Sequence, residues 1–170
     1  MMNKQITDIL NRISSKTSLE NKSQNYLDLQ GIIERYTQNF YSEEYNREYS
    51  SMFSDNQYLE IRVTEMEFSM ISNFLFYNAL QVTSEDDIYF NAKCIKVLYS
   101  SMNIIPICNL IKLYYPLQND NITSTLLRAI MDMDEDKSYL NNHEFTAVLT
   151  LLSNTDMQET KYLIDFIKMP

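Results

Sequence analysis

Three aspartates at alternate positions, Asp132, Asp134 and Asp136, followed by Glu144, are the residues of this sequence best suited to chemistry. Carboxylate oxygens at alternate loop positions can surround a calcium ion, with a glutamate at the twelfth position closing the shell through both its oxygens. Counted from Asp132, the sixth position is Lys137, where such a loop carries a glycine for its sharp turn. The twelfth is His143, and Glu144 comes one residue late. Residues 132–144 therefore read either as a degenerate calcium loop or as an acidic patch of Asp132, Asp134, Glu135 and Asp136 directed at a basic partner.

Other chemistry is sparse. His143 is the only histidine, so no multi-histidine metal site can be assembled. Cys94 and Cys108 lie in apolar helical text, FNAKCIKVLY and NIIPICNLIK, the setting of reduced, buried thiols. The acid pairs Glu43-Glu44 and Asp86-Asp87 fall in helical first turns, where the helix dipole accounts for them. With Gly31 as the sole glycine, neither a dinucleotide fingerprint nor a P-loop can be written. The expectation is a protein without enzyme activity, catalytic residues or cofactor.

The formal net charge of −9 is spread evenly, with seven basic and eleven acidic residues in 1–80 and seven and twelve in 81–170. Direct nucleic-acid or anionic-membrane binding depends on clustered Lys and Arg, so this balance argues against both and favours a basic protein partner. The amphipathic start MMNKQITDILNRISSK lacks the apolar core of a signal peptide, and no apolar run approaches the roughly 18 residues of a membrane span. A cytoplasmic location is expected.

The elements that must position these residues are helical. One Gly and three Pro in 170 residues leave little material for hairpin turns. With 45% hydrophobic and 22% charged residues the chain reads as a single all-α domain, 1–170. Ile6, Ile9, Leu10 and Ile13 form one helical stripe over 4–15, and SSKTSLENKSQ then reads as a break. Tyr26, Leu29, Ile32, Ile33, Tyr36 and Phe40 continue the period in a second helix, in which Gly31 is a mild cost. Residues 57–80 read as one long helix facing inward through Met66, Met70, Ile71, Phe74 and Leu75, although YLEIRV alternates like a strand.

Five shorter helices follow. Ser84 caps the first of them, Asn103 starts the next with Pro106 in its first turn, and Asn121 caps the third. Asn141 or Asn142 caps the fourth, with Phe145, Val148, Leu149 and Leu152 inward. Thr155 with Gln158 forms a capping box for the last, whose inward face is Tyr162, Leu163, Phe166 and Ile167. An antiparallel helical bundle or a short HEAT-like α-solenoid of about seven to eight helices is expected.

Tyr41, Tyr45, Tyr49 and Phe53 recur four apart and give one aromatic face. Such a face either packs at the core edge with its hydroxyls in water or forms a binding surface. Tyr139 and Phe145, beside the acidic run, are further candidate anchors.

The text LLRAIMDMD, an acidic link, HEFTAVLTLLS and ETKYLIDFIKMP resembles the closing region of small helical immunity proteins of bacterial contact-dependent growth-inhibition and polymorphic toxin systems. The likeness covers roughly the last 50 residues and is one of pattern. It implies an acidic, cytoplasmic, non-enzymatic protein that binds a cognate toxin domain, often a basic nuclease, and blocks its active site. Asp132, Asp134, Glu135 and Asp136 would steer the toxin, with Tyr139 and Phe145 or Tyr41, Tyr45 and Tyr49 as anchors. The alternatives are a calcium-responsive binding protein with an EF-hand-like loop at 132–144, and a virus-encoded Bcl-2-like interaction protein. No segment resembles the central helix signature of the latter.

Overall fold

The computed structural model describes residues 2–14, 19–133 and 136–169, and every regular element among them is helical. Nine α-helices occur among the described residues: α1 (Lys4–Ser14), α2 (Leu19–Thr37), α3 (Glu43–Ser50), α4 (Glu65–Ala79), α5 (Glu85–Lys96), α6 (Ile104–Tyr114), α7 (Asp120–Met131), α8 (His143–Leu152) and α9 (Gln158–Lys168). Single 3-10 turns stand at Asn56–Glu60, Ser101–Asn103, Tyr115–Leu117 and Ser138–Asn141. The chain divides into two compact units, Met1–Leu98 and Tyr99–Pro170.

In the first unit α2 packs against α1 and α5, and α5 packs against α4. Ile6, Ile9, Leu10 and Ile13 of α1 are all buried, as their spacing predicts, and meet a core that includes Tyr26, Leu29, Ile32 and Ile33. A chain of buried amides crosses this core. Asn78 Nδ2 donates to the Tyr26 hydroxyl at 3.0 Å and to Asn91 Oδ1 at 2.9 Å, while Asn91 Nδ2 donates to the Leu75 carbonyl at 3.0 Å. Each group thereby keeps a partner that burial would otherwise deny it.

Gly31 is explained by contact. A Cβ placed there would lie 2.6 Å from the Phe53 ring, which is wedged between Tyr49 and Tyr58. The Ser54 N–H donates to Asp28 Oδ1 at 2.8 Å and so fixes the segment carrying Phe53 against α2. The chain's four left-handed residues are Asn39, Tyr99, Gln118 and Lys137 among those described, none of them glycine. The sole glycine is spent on close packing.

The single long helix expected over 57–80 is corrected. Residues 61–64 are extended, with Ile61 and Val63 buried and Arg62 between them exposed. The α4 helix begins only after Thr64, whose hydroxyl accepts from the Glu67 N–H while the Glu67 carboxylate accepts from the Thr64 N–H. That reciprocal capping box is a start signal inside what reads as continuous helical text. The inward face of α4 also turns: Glu67, Ile71, Leu75, Asn78 and Ala79 are buried, whereas Met66 and Met70 are exposed. The expected break at SSKTSLENKSQ shrinks, because α2 begins at Leu19; residues 15–18 lie outside the described ones. Phe40 lies beyond the end of α2.

In the second unit α6 packs on α7 and α8, and α9 on α7 and α8. Asn142 caps α8 by accepting from the N–H groups of Glu144 and Phe145, and Phe145, Val148 and Leu152 are buried behind it. Two expected caps are displaced. α7 is capped by Asn119, which accepts from the Ile122 N–H, and not by Asn121. α9 has no capping box from Thr155 and Gln158; its N-cap is Met157, with no side-chain bond. Asp120 from the first turn of α7 supplies the acceptor, taking the Glu159 N–H at 2.8 Å, the Thr160 N–H at 2.8 Å and the Thr160 hydroxyl at 2.7 Å. Burial opposes the charge on Asp120, but these hydrogen bonds prevail and hold its carboxyl below the ordinary value. Seated this way, α9 buries Thr160, Leu163, Ile164 and Ile167, while Tyr162 and Phe166, expected inward, are exposed.

Candidate functional site

Glu67 joins the starts of α1 and α4, the two helices that line an open apolar groove in the first unit. One carboxylate oxygen accepts from the Asn3 N–H at 2.6 Å, and the other accepts from the Thr64 N–H and hydroxyl, both at 2.9 Å. The starts of α1 and α4 are therefore bolted together across 64 residues of sequence. Burial works against this carboxylate, and the hydrogen bonds from Thr64 and Asn3 outweigh it, so its pKa lies below the usual range.

Beyond that bolt, α1 rests on α2 and α4 on α5, leaving a groove lined by Met2, Leu10, Met70, Phe74 and Tyr77 with a volume of about 490 Å³. Met66 at 56% exposure and Tyr77 at 65% extend the apolar surface along α4. Methionine is unbranched and polarisable and adapts to irregular partners, and tyrosine brings a large rigid face with a polar tip. The groove follows from the turn of α4 described above. Its trace in the sequence is that α4 carries apolar residues around most of its circumference, more than one buried stripe needs.

The tyrosine stripe has another setting. Tyr49 is buried, and its hydroxyl donates to Glu34 Oε2 at 2.9 Å; burial first, and that carboxylate second, raise its pKa. The ring of Tyr45 stacks on Phe40 at 4.0 Å. The Tyr41 ring carries the Arg35 guanidinium at 5.1 Å and that of Arg62 at 4.2 Å. Arg35 is only 1% exposed and donates to carbonyls rather than to a carboxylate: Nε to Phe40 at 3.2 Å, Nη1 to Tyr58 at 3.3 Å and Leu59 at 3.0 Å, and Nη2 to Asn46 Oδ1 at 2.6 Å. One fork of donors thus ties α2 to α3 and to the 3-10 turn at 56–60. Nothing in the sequence distinguishes Arg35 from a surface arginine.

The acidic run is only partly described, since Asp134 and Glu135 lie outside the described residues. Asp132 is the C-cap of α7 and is exposed, as is Asp136. Lys137 takes the left-handed conformation, φ 53° and ψ 31°, that a glycine supplies in a calcium loop. Glu144, the residue needed to close such a loop, instead receives Lys112 Nζ at 2.5 Å, an interaction that lowers its pKa. Tyr139 and Phe145 are buried and meet edge to face at 5.3 Å. Among the described residues no three His, Cys, Asp or Glu side chains gather as a metal site.

Both thiols are free and buried. Burial pushes the Cys108 pKa up to about 11 and raises that of Cys94, whose Sγ donates to the Tyr26 carbonyl, so neither supplies a thiolate at neutral pH. No helix among the described residues is long and apolar enough to cross a membrane. No family model, curated protein or solved structure matches the chain.

Proposed function

We propose that the protein is an immunity protein: it binds a basic toxin domain and neutralises it by covering the toxin's active site. The observations that support this reading are the acidic balance of both units and, in the first unit, an open apolar groove. Residues 1–98 hold fourteen acids to nine bases, and residues 99–170 hold nine to five. Many of the acids are exposed at helix ends, among them Glu43, Glu44, Glu85, Asp86 and Asp132. A field of one sign raises the encounter rate with a cation, from about 10⁵–10⁶ towards 10⁸ M⁻¹s⁻¹ at low salt. The groove of Met70, Phe74 and Tyr77 supplies the desolvated anchor that long-range charge cannot provide. The cytoplasm is the compartment in which such a protein would meet its toxin. In the second unit, the packing of α6 on α7 and of α8 on α9 supports the reading of a short HEAT-like stack or antiparallel bundle.

Affinity capture of the tagged chain from its source cells, with washes in calcium and in chelator, tests this reading. The expected outcome is one basic polypeptide, retained in both washes, whose association slows steeply as salt rises and slows further at low salt in the Asp132→Lys/Asp136→Lys variant. A partner retained only in calcium, or one whose association ignores salt, would contradict it.

A further inference from the structure

We propose that a polar cavity of the first unit binds a small zwitterion, a free α-amino acid, through its ammonium and carboxylate groups between Asp87 and Lys22. The end of α1, the start of α2, the end of α4 and the start of α5 surround a space of about 380 Å³, whose polar lining includes Lys22, Asn78, Gln81, Thr83 and Asp87. That volume lies at the small end of ligand pockets, which run from about 300 to 1,000 Å³.

Helix chemistry explains only part of Asp87. The hydroxyl of the cap residue Ser84 accepts from the Asp87 N–H at 3.2 Å and donates to Asp87 Oδ2 at 3.1 Å. A helix start favours an acid but does not ask for a buried one, and the neighbouring Asp86 serves the dipole from the surface. The Asp87 side chain is nevertheless only 13% exposed, and its buried Oδ1 meets no hydrogen-bond donor among the described residues. A carboxylate oxygen in that state is costly. Lys22 stands against two forces: it lies in the first turn of α2, where the dipole opposes a cation, and its side chain is also only 13% exposed. Its ammonium is 3.9 Å from Asp87 Oδ2, an attraction without a hydrogen bond. Two mostly buried opposite charges thus line one cavity with bonding capacity left on each.

These charges choose the occupant. A simple ammonium would suit Asp87 and be repelled by Lys22, and a simple carboxylate would suit Lys22 and be repelled by Asp87. A molecule carrying both groups side by side brings no net charge into the site, donates from its ammonium to Asp87 and accepts from Lys22 through its carboxylate. Asn78, 4% exposed, adds an acceptor: both its N–H groups are committed, to Tyr26 and Asn91, so all that its side chain can offer a ligand is an oxygen. The soft terminal torsion of Asp87 lets Oδ1 turn towards the incoming ammonium.

Amide NMR spectra of the ¹⁵N-labelled full chain, titrated with each of the common L-amino acids and separately with ethylammonium and with acetate, test the proposal. The expected result is a saturable shift at Lys22, Gln81, Thr83 and Asp87 with at least one amino acid, at a dissociation constant below about 1 mM, and binding at least about tenfold weaker for ethylammonium and for acetate. Asp87→Asn and Lys22→Met should each weaken the amino acid at least about tenfold with an unchanged circular dichroism spectrum, since each leaves one ligand charge without its partner. The comparison of amino acid, ethylammonium and acetate on the wild-type chain decides the matter even where a variant fails to fold. No saturable shift with any amino acid up to about 10 mM would overturn the proposal. So would ethylammonium or acetate binding as tightly as the amino acid, or binding indifferent to both substitutions.

Discussion

Replacing Glu67 with glutamine should destabilise the first unit by about 2–3 kcal/mol at neutral pH. The wild-type carboxylate accepts three hydrogen bonds, from the Asn3 N–H, the Thr64 N–H and the Thr64 hydroxyl. Glutamine offers one acceptor oxygen and turns an NH₂ group towards donors. At least one donor then loses its acceptor and the others lose charge assistance; hydrogen bonds to charged groups contribute about 1.5–3 kcal/mol and neutral ones about 0.5–1.5. The pH dependence carries a definite sign. The folded carboxyl titrates below its ordinary value, so its contribution is complete above the unfolded pKa of about 4.3 and is lost as pH falls through the folded pKa. Urea unfolding followed by circular dichroism from neutral to acid pH should show the gap between wild type and Glu67→Gln shrinking with acidification. Hydrogen exchange should localise the loss to the first turns of α1 and α4. Equal stabilities at neutral pH, or a gap that persists unchanged into strong acid, would refute the reasoning.

Asp120→Ala removes the carboxylate that accepts from the first turn of α9 and leaves the Glu159 and Thr160 N–H groups and the Thr160 hydroxyl without it; the expected cost is about 2 kcal/mol, seen as faster exchange at Glu159 and Thr160. Like that of Glu67, this contribution disappears as pH falls through a depressed folded pKa. Gly31→Ala should lower stability despite the roughly 1 kcal/mol that alanine gains in a helix, because the Phe53 ring must leave its seat between Tyr49 and Tyr58, and overpacking costs about 1–3 kcal/mol. Arg35→Lys should cost about 3 kcal/mol or more in denaturant titration, since one ammonium cannot reach the four acceptors that the guanidinium fork satisfies.

What the sequence made legible was local. The α1 stripe, the Ser84 and Asn142 caps and the inward Phe145, Val148 and Leu152 of α8 follow from periodicity and short-range chemistry, and they stand in the structure. Long-range pairings were not legible. Asp120 stands one residue ahead of the cap expected at Asn121, with no mark of a partner, and only the fold brings it to α9, 39 residues away. Glu67 reads as a surface glutamate until Asn3 is set beside it. The faces of α4 and α9 were misassigned because both helices carry apolar residues on more than one side, so spacing alone cannot decide which side the core takes. That ambiguity hid the groove, whose lining is the side of α4 left outside. The aromatic stripe was visible as a pattern, but its packing around Arg35 depends on a residue with no distinguishing mark in the sequence.

The most direct test of a basic partner seated in the α1–α4 groove is the dissociation rate of the captured polypeptide from wild type and from the Met70→Glu/Tyr77→Asp variant, measured side by side at one salt concentration. Both positions are exposed, so the fold should be retained. The groove account predicts dissociation at least about tenfold faster from the variant, since interface substitutions act mainly on the off-rate. Equal rates from the two proteins would contradict it.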